Sequence, residues 1–179
     1  MKGVVFTEFL DMVETVFSPD MVDDIIDDAN TPSVGSYTAV GTYSHQEIIS
    51  LVAALSKRSG LPVSQLLRTF GEYLFHRFVQ NYPAFFNDIN DAFVLLSGIE
   101  NIIHAEVLKL YPDAELPRFD IEHYDDQRLI MAYRSSRHFE DLAHGLIEGC
   151  IKHFGTPIQV TRETLGSDND CYERFTLIR

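Results

Sequence analysis

The sequence has no tryptophan, two cysteines, and 14 basic residues against 27 acidic ones. Each shortage closes off a class of protein. At a formal net charge of -13 the chain lacks the clustered Lys and Arg that neutralise a phosphate backbone and release its counterions, so nucleic acid is not an expected partner. Cys150 and Cys171 are too few for a disulfide scaffold and suit a reducing cytoplasm. No apolar run approaches the ~20 residues that cross a bilayer. The opening "MKGVVFTEFLDMVETVF" carries one Lys, and Glu8 and Asp11 interrupt the apolar stretch a signal peptide needs. No membrane association and a cytoplasmic location are the resulting expectations. Repeats, low-complexity tracts and linkers are also missing.

What is present is an ordinary globular composition: 179 residues, 45% hydrophobic, enough for one domain with a full core. The first two-thirds reads as helices. Val5, Phe9, Met12, Val13 and Val16 recur at helical spacing. Ser18 and Pro19 open a second helix, and Ser44 with Glu47 forms a capping box for a third that closes on Gly60. "PVSQLLRTFGEYLFHRFVQNYP" is a strongly apolar helix. "NDAFVLLSGIENIIHAEVLKLYP" is one long helix, or two broken near Gly98. After Pro112 the period changes. "RFDIEHY" and "RLIMAYRS" alternate around a turn as a hairpin, "HFEDLAHGLIEGCIKHF" is helical, and "PIQVTRETL" and "CYERFTLI" flank the loop "GSDND" as a second hairpin. The expected fold is α+β: helices packed with a four-stranded antiparallel sheet. Residues up to about 60 form a helical N-terminal lobe, and the remainder carries the sheet.

Three features have chemical content. His104 stands among Ile99, Ile102, Ile103, Val107 and Leu110, on a helix that reads as largely buried. A lone histidine there is more often a core residue than a metal ligand. It is a poor zinc site, since no second ligand lies at zinc spacing. It is an adequate haem site, because the porphyrin supplies four ligands and the protein need supply one. The second feature is "YRSSR". In extended backbone Tyr133, Ser135 and Arg137 share one face and present a phenol, a hydroxyl and a guanidinium. That strip would bond an anion, or it is a solvated edge whose arginine pairs with an acidic neighbour. Cys150, His153 and Cys171 offer a third, incomplete set for zinc, with a Cys-x2-His spacing but no fourth ligand.

The combination of a single His with a downstream Tyr-x-Ser-x-Arg resembles the haem-nitric oxide/oxygen binding family, the H-NOX domains, of the standalone bacterial nitric oxide sensor type. The likeness covers essentially the whole chain, from "MKG" through "LPRF" to "GLIEG". It implies a single haem-binding domain over residues 1–179 that holds haem b between its lobes. His104 would be the proximal iron ligand, Tyr133, Ser135 and Arg137 the partners of the haem propionates, and Pro117 the residue that presses on the porphyrin and distorts it. Three apolar i,i+4 pairs could line the opposite haem face: Val5 with Phe9, Leu74 with Phe78, and Leu142 with Leu146. Oxygen-binding relatives place a tyrosine at the position of Leu142 and a polar residue at that of Leu74, so this chain departs from their pattern.

An apolar pocket implies nitric oxide as ligand, carbon monoxide more weakly, and no stable oxygen complex. Release of His104 would be the signal. With no output domain after Arg179, the implied partner acts in trans: a sensor histidine kinase, or a diguanylate cyclase or phosphodiesterase of cyclic-di-GMP signalling. Two other classes stand beside this one. A haem enzyme would want polar acid/base groups over the iron, and His76 and His144 lie at other helical phases, so no enzymatic activity is expected. A non-haem α+β module that binds a ligand or another protein is the alternative.

Overall fold

The computed structural model describes residues 1–166 and 171–179. It is α+β, with seven helices and one four-stranded antiparallel sheet. Helices α1 (Gly3–Val16), α2 (Pro19–Ala29), α3 (His45–Ser59) and α4 (Val63–Asn81) come first. Ser18 caps α2, its hydroxyl accepting the Met21 N–H at 3.1 Å. The capping box expected for α3 forms only by half. Ser44 Oγ accepts the Gln46 N–H at 3.3 Å, but the buried Glu47 carboxylate turns away to accept from the Ser33 N–H at 3.2 Å and the Tyr37 hydroxyl at 3.1 Å. A buried carboxylate needs partners wherever they are, and the preceding loop supplies them.

The stretch before the sheet is not one helix. A 3-10 turn at Pro83–Phe85 leads to α5 (Ala92–Ser97), which is capped by Asp91 and ends at Gly98. A π-helical turn, Glu100–His104, then joins it to α6 (Ala105–Leu110). Strands β1 (Arg118–Tyr124) and β2 (Arg128–Ser135) form the first hairpin, where Asp125 Oδ1 accepts the N–H groups of Gln127 and Arg128 at 2.9 and 2.8 Å. After α7 (Glu140–Phe154) come β3 (Gln159–Thr164) and β4 (Cys171–Ile178), giving the sheet order β1-β2-β4-β3. The loop read between the last two strands falls, from Ser167 to Asp170, outside the described residues.

Two apolar cores result. One joins α1, α2 and α3 to one face of α4 through Phe6, Phe9, Leu51, Leu55 and Phe70. The other joins α5, α7 and the inner face of the sheet through Phe93, Leu129, Met131, Phe175 and Leu177. Helix α4 reaches both, with Leu74 in the first and Phe75 in the second. It packs on α7 at very short range. A Cβ on Gly145 would lie 2.0 Å from the Arg68 carbonyl oxygen, and one on Gly71 would lie 2.4 Å from that of Leu142, so hydrogen is the only substituent that fits at either place. The N-terminus is laced to the loop before α3 by a Lys2–Thr42 bridge, and Lys2 Nζ pairs with Asp113, just beyond α6, at 2.7 Å. Among the described residues no helix is long and apolar enough to cross a membrane.

Candidate functional site

A cavity of about 410 Å³ separates α5 and α6 from α1, α4 and α7. One wall carries Ile99, Ile103, His104, Val107 and Leu110. The facing wall carries Val5 of α1, Leu74 and Phe78 of α4, and Leu142 and Leu146 of α7. Tyr133, Ser135, Ser136 and Arg137 close one end, with Pro117 and Phe119 beside them. The helical segment bearing His104 is therefore less buried than its sequence suggests. No residue from Glu100 to Leu110 is buried, because its apolar side borders the cavity instead of packing into a core.

His104 owes its position to the π turn. Its N–H bonds to the Ile99 carbonyl, five residues back, at 2.8 Å, and the Ile103 N–H bonds to the same oxygen at 3.0 Å. Such widened turns are rare and concentrate at functional sites. Glu100 Oε1 accepts the Phe119 N–H at 2.7 Å and lies 3.2 Å from His104 Nδ1. A carboxylate can only accept, so Nδ1 carries the hydrogen and the lone pair stays on Nε2. Burial lowers the His104 pKa, and the Glu100 charge opposes that less strongly, so the ring is held neutral. A neutral imidazole with a free Nε2 lone pair is a metal ligand.

At the polar end, Tyr133 is 1% exposed. Burial raises its pKa well above the ordinary phenol range, with the Ser135 hydroxyl and the Phe139 backbone pulling the other way. The alternation expected of "YRSSR" stops after Ser135. Ser136 and Arg137 form a turn, in which Ser135 Oγ accepts the Arg137 N–H at 3.1 Å. Arg137 thus reaches the cavity from a turn and not from the strand, and Ser136 joins the lining, which strand periodicity could not foresee. Arg134 does point to the other face, its guanidinium 3.8 Å from the Tyr172 ring centroid. Arg137 pairs with the carboxylate of Glu115. The Arg137 side chain is 16% exposed and that of Glu115 is 79% exposed, so Glu115 is a solvated partner that another anion could displace. Nothing in the spacing pointed to Glu115. Glu100, by contrast, stands four residues before His104, a spacing that shares a helix face.

Two sequence expectations meet a different geometry. Phe9 is not among the residues lining the cavity. One turn beyond Val5, α1 has passed into the first core, and Phe9 is wholly buried there, edge-on to Phe70 with ring centroids 5.2 Å apart. The zinc set Cys150, His153 and Cys171 does not assemble. Cys150 is buried against α5, where burial raises its pKa far above the usual thiol range, and His153 packs among Phe75, Phe86 and Phe154. Cys171 instead meets Glu140 at 3.1 Å, with His138 nearby. Burial and that carboxylate push the Cys171 thiol up to about 12, so it stays protonated and unreactive.

A narrow apolar slot with one imidazole lone pair on its wall and a cation with hydroxyls at its end suits a flat group that carries a metal and carboxylates. The family model described as Haem-NO-binding matches residues 2–162. The chain belongs to that family. An H-NOX domain is a haem-binding gas sensor, and the residues present here fit the group. Solved H-NOX structures share the whole fold. The Fe(II) unliganded H-NOX protein from K. algicida is 38% identical, with a TM-score of 0.93 over 99% of this chain and 96% of that one. The Shewanella woodyi H-NOX in its Fe(II)CO state is 38% identical, with a TM-score of 0.84 over 100% and 94% of the two chains. The S. oneidensis H-NOX in its Fe(II)NO state is 26% identical, with a TM-score of 0.89 over 100% of both. None of the curated proteins matches.

Proposed function

We propose that this H-NOX domain is a cytoplasmic nitric oxide sensor that holds ferrous haem b through His104, binds carbon monoxide more weakly, and signals to a separate protein when His104 is released. Ferrous haem supplies an iron that takes up diatomic gases, and the polarity and donors of the pocket decide which of them is retained. The carrying observation is the wall opposite His104. Among the described lining residues, none contributed by α1, α4 or α7 bears a hydroxyl or an amide. Tyr82, just past the end of α4, packs its ring edge-on to Phe78 and stacks it on Phe85. The wall built by α1, α4 and α7 therefore offers no donor to hold oxygen, and nitric oxide needs none. The same wall lacks the acid and base groups of a peroxidase, which favours a sensor over an enzyme.

Tyr133, Ser135 and Arg137 would hold the propionates, with Arg137 giving up its solvated Glu115 partner for them, and Pro117 would stand against the ring. His104 moves with α6, and α6 is tied through Asp113 to Lys2 and Thr42 at the start of the N-terminal helical lobe. Loss of the His104 bond would thus reach α1 directly, and the partner reads the shifted population. An acidic surface suits a basic docking face on that partner, a sensor histidine kinase or a diguanylate cyclase or phosphodiesterase. His104→Gly tests the ligand assignment. The variant is expected to lose haem in plain buffer and to recover it with added imidazole, whereas an unchanged ferrous spectrum without imidazole would remove His104 from the role.

A further inference from the structure

We propose that Glu100 is a positioning residue for His104: its carboxylate fixes the ring orientation and tautomer and strengthens the bond that must break for signalling. The proposal rests on the reading of His104 as the iron ligand. The π turn begins at Glu100 and ends at His104, so one distorted turn carries both members of the pair. Glu100 Oε1 is held from outside that turn by the Phe119 N–H of β1, at 2.7 Å, the shorter of its two contacts. The carboxylate is therefore anchored to the sheet before it meets His104 Nδ1 at 3.2 Å. The Phe119 ring lies against His104 at a centroid distance of 6.1 Å, which limits ring rotation.

A histidine whose Nδ1–H is given to a carboxylate is a stronger electron donor at Nε2. The consequence for a sensor that works by letting go is specific. Glu100 would raise the barrier to release, and the anchor on β1 would keep the ring turned toward the cavity after release, ready to rebind. A purely structural reading is also available, in which Glu100 only pins Phe119. Its side chain is 41% exposed, so solvent weakens the pair and the effect on His104 is graded, not absolute.

Resonance Raman spectra of the ferrous, unliganded holoprotein separate the two readings, because the Fe–His stretch reports the bond itself. Glu100→Leu is expected to lower that frequency, Glu100→Gln to lower it less, and haem transfer to apomyoglobin to speed up about 10-fold in the leucine variant. Conversion to the five-coordinate nitric oxide form should quicken in parallel. A wild-type Fe–His frequency in Glu100→Leu, or in Glu100→Gln should the leucine variant not fold, overturns the proposal and leaves Glu100 as a strut for β1. The His104→Gly control keeps the failures apart. Haem loss in that variant with no change in the Glu100 variants sinks only the role of Glu100.

Discussion

Gly145→Ala puts a single methyl group into the very close contact between α4 and α7. The added Cβ would sit 2.0 Å from the Arg68 carbonyl oxygen and 2.8 Å from its carbon. A relaxed C···O contact needs roughly 3.3–3.6 Å, so α4 and α7 must part by roughly 1.3–1.6 Å there. The obstructing atom is backbone inside α4 and cannot swing aside, which places the cost near the upper end of overpacking, about 3 kcal/mol. Alanine recovers about 1 kcal/mol of helix propensity. The net loss of about 2 kcal/mol lowers the melting temperature by about 4–8 °C in a chain of this size. Thermal unfolding followed by circular dichroism checks it. Leu142 and Leu146 flank Gly145 on the cavity wall, so the carbon monoxide off-rate should change in the same variant. A melting temperature equal to or above that of the wild type would refute the reasoning about the α4–α7 contact.

Two other outcomes follow from side-chain placement. Arg137→Ala is expected to speed haem loss well beyond Arg134→Ala, since only Arg137 lines the cavity while Arg134 stacks on Tyr172; equal rates in a haem-transfer assay would count against the anion-binding end. Asp125 is held at about 2, below the usual carboxylate range, by His123 and by the Gln127 and Arg128 N–H groups. Its folded pKa is depressed, so its contribution is present above about pH 4 and is lost as pH falls toward 2. The melting-temperature gap between wild type and Asp125→Ala should therefore close over that range, and a gap independent of pH would contradict it.

The sequence carried the element types well because periodicity and caps are local. Helix α2 opens at Ser18 and Pro19 as read, and β4 alternates buried with half-buried residues as expected, whereas β1 breaks register between Ile121 and His123. What it could not carry were the features decided by tertiary partners. Glu47 has capping-box spacing, yet the loop at Ser33 and Tyr37 claims its carboxylate. Val5 and Phe9 share a helix face, yet only Val5 reaches the cavity, because a face one turn longer than the cavity must end in a core. The π turn at His104 leaves no local mark beyond Gly98. The close approach of Glu100 to His104 went unread, although the four-residue spacing that permits it is local. Arg137 was legible as a cavity residue, but its route was not. Strand alternation cannot tell where a strand ends, and Ser135 ends it by accepting the Arg137 N–H.

The absorption spectrum of the reduced wild-type protein, recorded anaerobically, then with nitric oxide, then separately in air, tests the central claim most directly. The expected result is a five-coordinate ferrous spectrum, a five-coordinate nitric oxide complex lacking the histidine, and no stable oxygenated species, because the wall formed by Val5, Leu74, Phe78, Leu142 and Leu146 offers no donor. A persistent oxygenated spectrum in air would show that a donor reaches the iron and would contradict the assignment of nitric oxide selectivity.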